Sequence, residues 1–131
     1  MNNSAASVLI VDDQVRARQS LRALLATCPG LGEVREAGSG TDALEMIAAS
    51  RPDVVIMDAH MPDPDGIATT RTIKTTWPEI RVIVLSLYAD YALPAHTAGA
   101  DAFVSKGDPA ERLLAALSAA DTACDPPSPQ S

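Results

Sequence analysis

Asp58 ends a run of four apolar residues and is followed directly by a segment rich in proline, aspartate and glycine. Two other strand-like runs also stop at polar residues, one at Asp12 and Asp13 and the other at Ser86. The carboxyl ends of neighbouring parallel strands meet at one edge of an open sheet, where such folds gather their ligands. We therefore expect these carboxylates and this hydroxyl to share one crevice and to do chemistry there.

The acidic residues predict a strongly negative site. Asp12 and Asp13 can both face Asp58 only if the chain is already turning after the first strand, because adjacent strand residues point to opposite faces. Close carboxylates in a partly buried cleft repel one another unless protons or a cation offset them. Mg²⁺ suits such a site, since it takes oxygen ligands and usually binds one or two carboxylates. A helix N-cap is an equally good interpretation of Asp12 and Asp13 taken alone.

Lys106 follows the last predicted strand of the chain, Ala102-Phe103-Val104-Ser105. A lone lysine at a strand end is usually a solvated charge. If the strands follow the usual doubly wound order, however, the ends of strands one, three, four and five face the same crevice. Lys106 then supplies the only fixed cation that we expect there, and Ser86, which directly ends a strand, supplies a hydroxyl.

Short apolar runs alternate with longer stretches of helical periodicity, which predicts βα units and a doubly wound five-stranded parallel sheet with helices on both faces. The predicted strands cover residues 8–11, 33–37, 54–58, 82–86 and 102–105. The residues predicted to face the sheet are Val15, Leu21, Leu24 and Leu25 in the first helix and Ala43, Leu44, Ile47 and Ala48 in the second. Later helices are predicted over residues 66–76, over about 93–98, and after Asp108-Pro109.

The length of 131 residues predicts one folded domain. We assign residues 1–7 to a disordered N-terminus, residues 8–120 to the domain, and residues 121–131 to a proline-rich tail or linker.

Charge and segment composition exclude several classes of partner. The formal charge of −7 argues against direct nucleic acid binding, because affinity for phosphates comes mainly from lysine and arginine. Residues 1–7 lack a signal-peptide pattern, and no aliphatic run approaches the roughly 18–20 residues of a membrane span. Cys28 and Cys124 form no metal-binding or redox spacing. We therefore expect a protein of the reducing cytoplasm with no membrane association and no disulfide framework.

Several short motifs, in order along the chain, resemble those of the bacterial response-regulator receiver domain of two-component signalling, in particular the NarL/FixJ (LuxR-type) subfamily. The resemblance covers about residues 8–118 and rests on Leu9-Ile10-Val11-Asp12-Asp13, Val55-Ile56-Met57-Asp58, Met61-Pro62, Asp65-Gly66, Val84-Leu85-Ser86 and the segment from Ala98 to Phe103 leading to Lys106. Each motif is weak alone, but their order and spacing are specific. The resemblance implies a flavodoxin-like (βα)5 fold with strand order 2-1-3-4-5.

The resemblance also implies a role for each residue of the crevice. Asp58 would accept a phosphoryl group from a sensor histidine kinase or a histidine phosphotransfer protein. Mg²⁺ would be bound by Asp13, Asp58 and the backbone carbonyl of His60, with Asp12 acting largely through a metal-bound water. Lys106 and Ser86 would each contact a phosphoryl oxygen. The domain would catalyse only its own phosphotransfer and dephosphorylation, and would not otherwise be an enzyme.

Phosphorylation would operate a switch. New charge at Asp58 would draw Ser86 inward and leave space for the Phe103 ring, although a plain core aromatic is nearly as good an interpretation of Phe103. The face formed by the fourth helix, the last strand and the fifth helix would be the readout surface. The resemblance allows a homodimer through that face.

The motif style is most similar to receivers that control transcription through a LuxR-type DNA-binding domain, which we do not find in this chain. A stand-alone receiver and a phosphorylation-independent interaction scaffold remain alternatives. An aspartyl-phosphate hydrolase is disfavoured, because Asp12-Asp13-Gln14 lacks the Asp-x-Asp pattern of that family.

Overall fold

The computed structural model describes residues 6–28 and 30–118 of the chain, with side chains up to residue 117. Within this part, five strands alternate with five α-helices. The strands are β1 (Ala6–Val11), β2 (Leu31–Ala37), β3 (Val54–Asp58), β4 (Arg81–Ser86) and β5 (Ala102–Ser105). The helices are α1 (Val15–Leu25), α2 (Gly40–Ala49), α3 (Gly66–Thr76), α4 (Ala92–Thr97) and α5 (Ala110–Ser118), with a 3-10 turn over Ala89–Tyr91 before α4.

The strands form one parallel sheet in the order β2-β1-β3-β4-β5, which confirms the predicted fold class and strand order. Asp58 at the end of β3 pairs with Leu85 of β4, and Ser86 pairs with Ser105 of β5. The last residues of β3, β4 and β5 therefore lie along one edge of the sheet, beside the residues that follow β1.

The predicted boundaries differ from the observed ones mainly at strand starts. β1 begins at Ala6, which pairs with Leu31 of β2. Asp53 holds the neighbouring Ser7: its carboxylate accepts from the Ser7 N–H at 2.8 Å, and its own N–H donates to the Ser7 carbonyl at 2.9 Å. Two residues assigned to the N-terminal segment thus belong to the sheet. Residues 1–5 and the predicted tail at 121–131 lie outside the described residues. α4 begins one residue earlier than predicted and keeps Pro94 in its first turn, where a missing donor is tolerated.

The core lies on both faces of the sheet. Along β1, Val8 and Ile10 join the buried cluster under α1 and α5, whereas Leu9 and Val11 join the cluster under α2, α3 and α4. Every residue of β3 is buried. This two-sided burial explains why the strands appear in the sequence as continuous apolar runs.

Two residues predicted to face the sheet do not. Val15 is 55% exposed and Ala48 is also exposed, whereas Leu25, Ala43 and Ile47 are buried as predicted. Val15 is the first residue of α1, and helical side chains point toward the helix N-terminus. Its side chain therefore projects past the start of the helix instead of over the sheet.

Cys28 is buried and takes part in a disulfide bond. The expectation of reduced cysteines is therefore wrong at this residue. No helix in the described part of the chain has the length and apolar character needed to span a bilayer.

Candidate functional site

The carboxylates of Asp12, Asp13 and Asp58 come together at the carboxyl edge of the sheet. Each offers an oxygen atom, and these oxygens all lie within 4.8 Å of one another. Asp12 and Asp58 are buried, with 1% and 6% of their surface exposed, whereas Asp13 is exposed. The structure thus brings together the three acidic residues that we predicted, from their positions at strand ends, to share one crevice.

The Lys106 ammonium bridges the two buried carboxylates. Its Nζ atom lies 3.2 Å from Asp12 Oδ2 and 3.2 Å from Asp58 Oδ1, and the side chain is 26% exposed. The Lys106 backbone N–H donates to the Ser86 carbonyl at 2.8 Å, which ties the end of β5 to the end of β4. Lys106 therefore supplies the cation that we predicted for the crevice, and the hydrogen bond of its backbone to Ser86 fixes the position of the residue.

Burial and charge shift the ionisation of this group of residues. Burial is the largest cause that raises the pKa of Asp58 above its ordinary value, and the neighbouring Asp12 carboxylate is the second. Burial acts to lower the pKa of Lys106, but the Asp58 and Asp12 carboxylates outweigh it, and that pKa is raised. A single bridging ammonium faces three carboxylates, so the described site carries excess negative charge.

Asp12 also has a local structural role. Its Oδ1 atom accepts a hydrogen bond from the backbone N–H of Gln14 at 2.9 Å, while its other carboxylate oxygen faces Lys106. Gln14 occupies the N-cap position of α1, and its own side chain makes no capping bond. The two interpretations of Asp12, helix start and charged site, are therefore compatible.

Gly66 allows α3 to start directly against the end of β3. A Cβ atom at this position would overlap the carbonyl oxygen of Asp58 and lie 2.8 Å from the Cα of Ala59. The Gly66 N–H donates to the Ala59 carbonyl at 3.1 Å, and Asp65 caps the helix by accepting from the Ala68 N–H at 2.7 Å. This close packing holds the backbone that carries Asp58 against the helix.

His60 and Ser86 lie beside the acidic residues. The backbone N–H of His60 is 3.3 Å from Asp58 Oδ1, and the His60 ring nitrogen Nδ1 is 3.3 Å from the Tyr91 hydroxyl. Ser86 is 1% exposed, and its hydroxyl oxygen accepts from the Tyr88 N–H at 2.9 Å. The rings of His60, Tyr88 and Tyr91 are mutually 6.4 Å apart, so they connect the loop after β3 with the turn before α4.

Phe103 lies half-buried on β5, beside Val84 of β4. Its ring packs against the core cluster under α2, α3 and α4. It also borders a cavity of about 70 Å³ that is lined by His96, Ala100 and Asp101. Phe103 thus contributes to the core and adjoins free space, and its role in a switch stays a prediction.

Residues 8–118 match the family model described as the response regulator receiver domain. This chain belongs to that family. The resemblance seen in the sequence motifs is therefore confirmed, and the receiver domain is a signalling domain of two-component systems.

Named relatives of this receiver domain include transcription regulators. YhcZ of Bacillus subtilis, an uncharacterized transcriptional regulatory protein, is 37% identical over 109 residues, which are 82% of this chain and 51% of YhcZ. The DNA-binding transcriptional activator DevR/DosR of Mycobacterium tuberculosis is 38% identical over 101 residues, 76% of this chain and 46% of that protein. The receiver domain thus spans about half the length of these curated relatives.

A solved structure has the same fold. The crystal structure of a LuxR-family two-component response regulator from Aurantimonas sp. SI85-9A1 is similar with a TM-score of 0.82 and 33% sequence identity, covering 90% of this chain and 86% of that one.

Receiver domains generally bind Mg²⁺ through an acidic pocket, and the donors of this receiver domain fit that ion. The three carboxylates supply the hard oxygen atoms that Mg²⁺ prefers. The excess negative charge that Lys106 leaves unbalanced would be offset by a divalent cation. Asp13, being exposed, keeps one side of the acidic site accessible to solvent.

Sequence reasoning missed two residues that contact the site of this receiver domain. Tyr91 meets the His60 ring, and Arg18 donates from Nη1 to the Asp12 carbonyl at 2.6 Å. Arg18 is not among the α1 residues that periodicity predicts to face the sheet, and helical spacing does not indicate how far a long side chain reaches. An arginine one turn into the helix that follows an acidic pair was the available signal.

Proposed function

We propose that this receiver domain accepts a phosphoryl group on Asp58, in a Mg²⁺-dependent reaction, from a sensor histidine kinase or a histidine phosphotransfer protein. One observation carries the proposal: the Lys106 ammonium lies 3.2 Å from Asp58 Oδ1, at the carboxylate cluster formed with Asp12 and Asp13. Phosphoryl transfer requires mainly positioning and positive charge on the phosphoryl oxygens. Those oxygens would lie next to the ammonium once the phosphorus reaches Asp58.

In the proposed reaction, an Asp58 carboxylate oxygen forms a bond to phosphorus while the bond from phosphorus to the donor's imidazole nitrogen breaks. The imidazole leaves with that electron pair, and Asp58 becomes an acyl phosphate. Lys106 favours the ionised form of Asp58 before the transfer and meets a phosphoryl oxygen after it. Asp13, Asp58 and the His60 carbonyl would hold Mg²⁺, with Asp12 acting through a water, and the ion would supply further positive charge.

A groove beside the site supports docking of the phosphodonor. It has a volume of about 300 Å³, runs between α1 and α5, and is lined by Asp12 and Lys106 together with apolar side chains. Two exposed apolar residues are close in sequence to site residues: Val15, two positions after Asp13, is 55% exposed, and Leu87, directly after Ser86, is 65% exposed. A donor helix with apolar residues flanking its phosphohistidine fits this arrangement.

We also propose that Ser86 and Phe103 carry the switch. To contact a phosphoryl oxygen, the Ser86 hydroxyl must move away from its present partner, the Tyr88 N–H. The Phe103 ring would then turn into the vacated space. The readout surface would be the α4-β5-α5 face, where Leu93 is 71% exposed and available to a partner or to a second copy of the chain.

The relatives' names support transcription control as the output, through a LuxR-type DNA-binding domain. Family membership supports a cytoplasmic location, where the donor domains of sensor kinases operate. A stand-alone receiver uses the same chemistry with a different output.

Acetyl phosphate with Mg²⁺ tests the phosphoacceptor proposal. The protein should gain one phosphoryl group by intact mass, sensitive to hydroxylamine, and Asp58→Asn should abolish the gain. Asp63→Asn is the matched control, because Asp63 is an exposed aspartate of the same loop outside the acidic cluster, and it should be phosphorylated like the parent. Labelling of the Asp58→Asn protein, or none in the parent, would contradict the proposal. Continuous turnover of small phosphate esters would favour a hydrolase instead.

Beryllofluoride with Mg²⁺ tests the switch by mimicking the phosphoryl group. Sedimentation should detect a homodimer that Leu93→Glu prevents, and affinity for the partner should change. Unaltered sedimentation together with equal partner binding by the parent and Asp58→Asn proteins would favour the phosphorylation-independent scaffold.

A further inference from the structure

We propose that Arg18 is a positioning residue for the cation site, acting by holding the backbone from which Asp12 and Asp13 project; this inference rests on the Mg²⁺ binding proposed above. The Arg18 Nη1 atom donates to the Asp12 carbonyl at 2.6 Å, and Nε donates to Glu36 Oε1 at 2.9 Å. One guanidinium therefore joins the end of β1 to β2. The side chain is only 16% exposed, so this connection is sheltered from solvent.

The Asp12 carbonyl is the last of four polar groups that hold this residue. The Asp12 N–H donates to the Ala37 carbonyl at 3.2 Å, Oδ1 accepts from the Gln14 N–H at 2.9 Å, and Oδ2 lies 3.2 Å from Lys106 Nζ. Arg18 satisfies the carbonyl with a charged donor. Each bond fixes a different part of a residue that is 1% exposed.

Release of this carbonyl would affect two residues of the proposed Mg²⁺ site together, Asp12 and Asp13. The peptide group that contains the Asp12 carbonyl also contains the Asp13 N–H. A change of ψ at Asp12 that aimed this carbonyl at a new donor would also redirect the chain that leaves Asp12, and would so move the Asp13 side chain relative to the Asp12 carboxylate. Asp13 is exposed, so little packing around its side chain would resist the movement.

Arg22 provides a matched control on the same helix. Its Nε donates to the other Glu36 oxygen at 2.6 Å, and its Nη2 donates to the Val34 carbonyl at 2.7 Å. Both arginines thus tie α1 to β2 through Glu36, but the two bonds of Arg22 end on β2. If the two arginines did no more than hold α1 against β2, replacement of either one would affect the acidic site to the same extent.

The sign of the effect separates positioning from simple charge. Removing a positive side chain near an anionic site reduces repulsion of an incoming cation and would strengthen Mg²⁺ binding. Loss of positioning would weaken it. Replacement of partners that orient metal ligands typically reduces metal affinity by about 10- to 100-fold.

The experiment compares Arg18→Met with Arg22→Met by calorimetric titration of each protein with Mg²⁺ in the absence of any phosphodonor, with urea unfolding measured in parallel. Arg18→Met should raise the Mg²⁺ dissociation constant by about 10-fold, the lower end of that range. Arg22→Met should remain within about twofold of the parent, since its guanidinium bonds only to β2. Both should unfold at somewhat lower urea, because each loses bonds to Glu36.

Arg18→Lys covers the case in which Arg18→Met does not fold. It keeps the charge, but one ammonium lacks the planar fork that reaches Asp12 and Glu36 together, so Mg²⁺ binding should again weaken. Parent-like or tighter Mg²⁺ binding by a folded Arg18 variant, or equal weakening by Arg22→Met, would overturn the positioning role while leaving the proposed function standing. Failure of the parent itself to bind Mg²⁺ would overturn both.

Discussion

Gly66→Ala should destabilise this protein, although the same replacement within a helix is normally favourable. At a compatible position it stabilises by roughly 0.4–1 kcal/mol, because the unfolded chain loses freedom. At Gly66, however, the new Cβ would overlap the Asp58 carbonyl oxygen and lie 2.8 Å from the Cα of Ala59. Carbon atoms in optimal contact are roughly 3.5–4.0 Å apart, so the backbone must separate by nearly 1 Å.

The clash should outweigh the propensity gain. Overpacking of a well-packed region typically costs about 1–3 kcal/mol, and here both colliding groups are backbone that no rotamer change can move aside. We expect a net loss of about 1–2 kcal/mol after subtraction of the usual gain. Because the displaced backbone belongs to Asp58, phosphorylation by acetyl phosphate should also slow.

Urea unfolding followed by the fluorescence of Trp77, the single tryptophan, measures this loss. Gly107→Ala is the control, since its new Cβ would meet nothing nearer than Ser105 Oγ at 3.7 Å, an ordinary contact. It should be neutral or slightly stabilising. If Gly66→Ala were as stable as Gly107→Ala, the argument that α3 starts there only because Gly66 lacks a side chain would be refuted.

Three further predictions concern charge and backbone. The pKa of Asp58 is raised, so the folded protein keeps this proton to higher pH than the unfolded chain, and the free energy of unfolding falls as pH rises from 3.8 through the raised value. Asp58→Asn should therefore increase the urea midpoint at pH 7 in EDTA. Millimolar Mg²⁺ should reduce the difference in midpoint between the variant and the parent. Lys74→Met removes three hydrogen bonds, to two backbone carbonyls and the Asp101 carboxylate, and should cost about 1.5–3 kcal/mol in urea, whereas Arg51→Met, in an exposed ion pair, should stay within about 0.5 kcal/mol. Gly99 has a φ of +102°, a conformation that strains residues with a side chain. Gly99→Ala should therefore lower the free energy of unfolding, measured by thermal denaturation, by about 1–3 kcal/mol.

The sheet and the meeting of the charged residues were predictable for a common reason. β3 is buried along its whole length, so its apolar run stands out in the sequence, and Asp58 marks the point where burial ends. Parallel strands then bring Asp58 and Asp12 to one edge whatever lies between them. The chemical roles assigned to these residues remain predictions.

Other features depend on contacts that periodicity does not describe. Val15 follows the apolar pattern of α1 but lies at the helix start, where its side chain points past the sheet. Arg18 and Tyr91 act through long side chains whose reach depends on tertiary packing. The bond at Cys28 likewise depends on which parts of the chain approach in space.

Because of the strand order β2-β1-β3-β4-β5, the acidic residues of the site and the residues on or after β5 differ in how readily they unfold locally. Asp12 follows β1 and Asp58 ends β3, and both of these strands have hydrogen-bonded neighbours on both sides, as β4 also does. Phe103, in contrast, lies on the edge strand β5, and Lys106 follows it directly. Amide protons at an exposed sheet margin exchange through small, local openings, while those of interior strands exchange mainly when the whole domain opens. The edge strand β5, which carries Phe103, can therefore open locally and contact new partners, while the cluster of Asp12, Asp13 and Asp58 keeps its geometry.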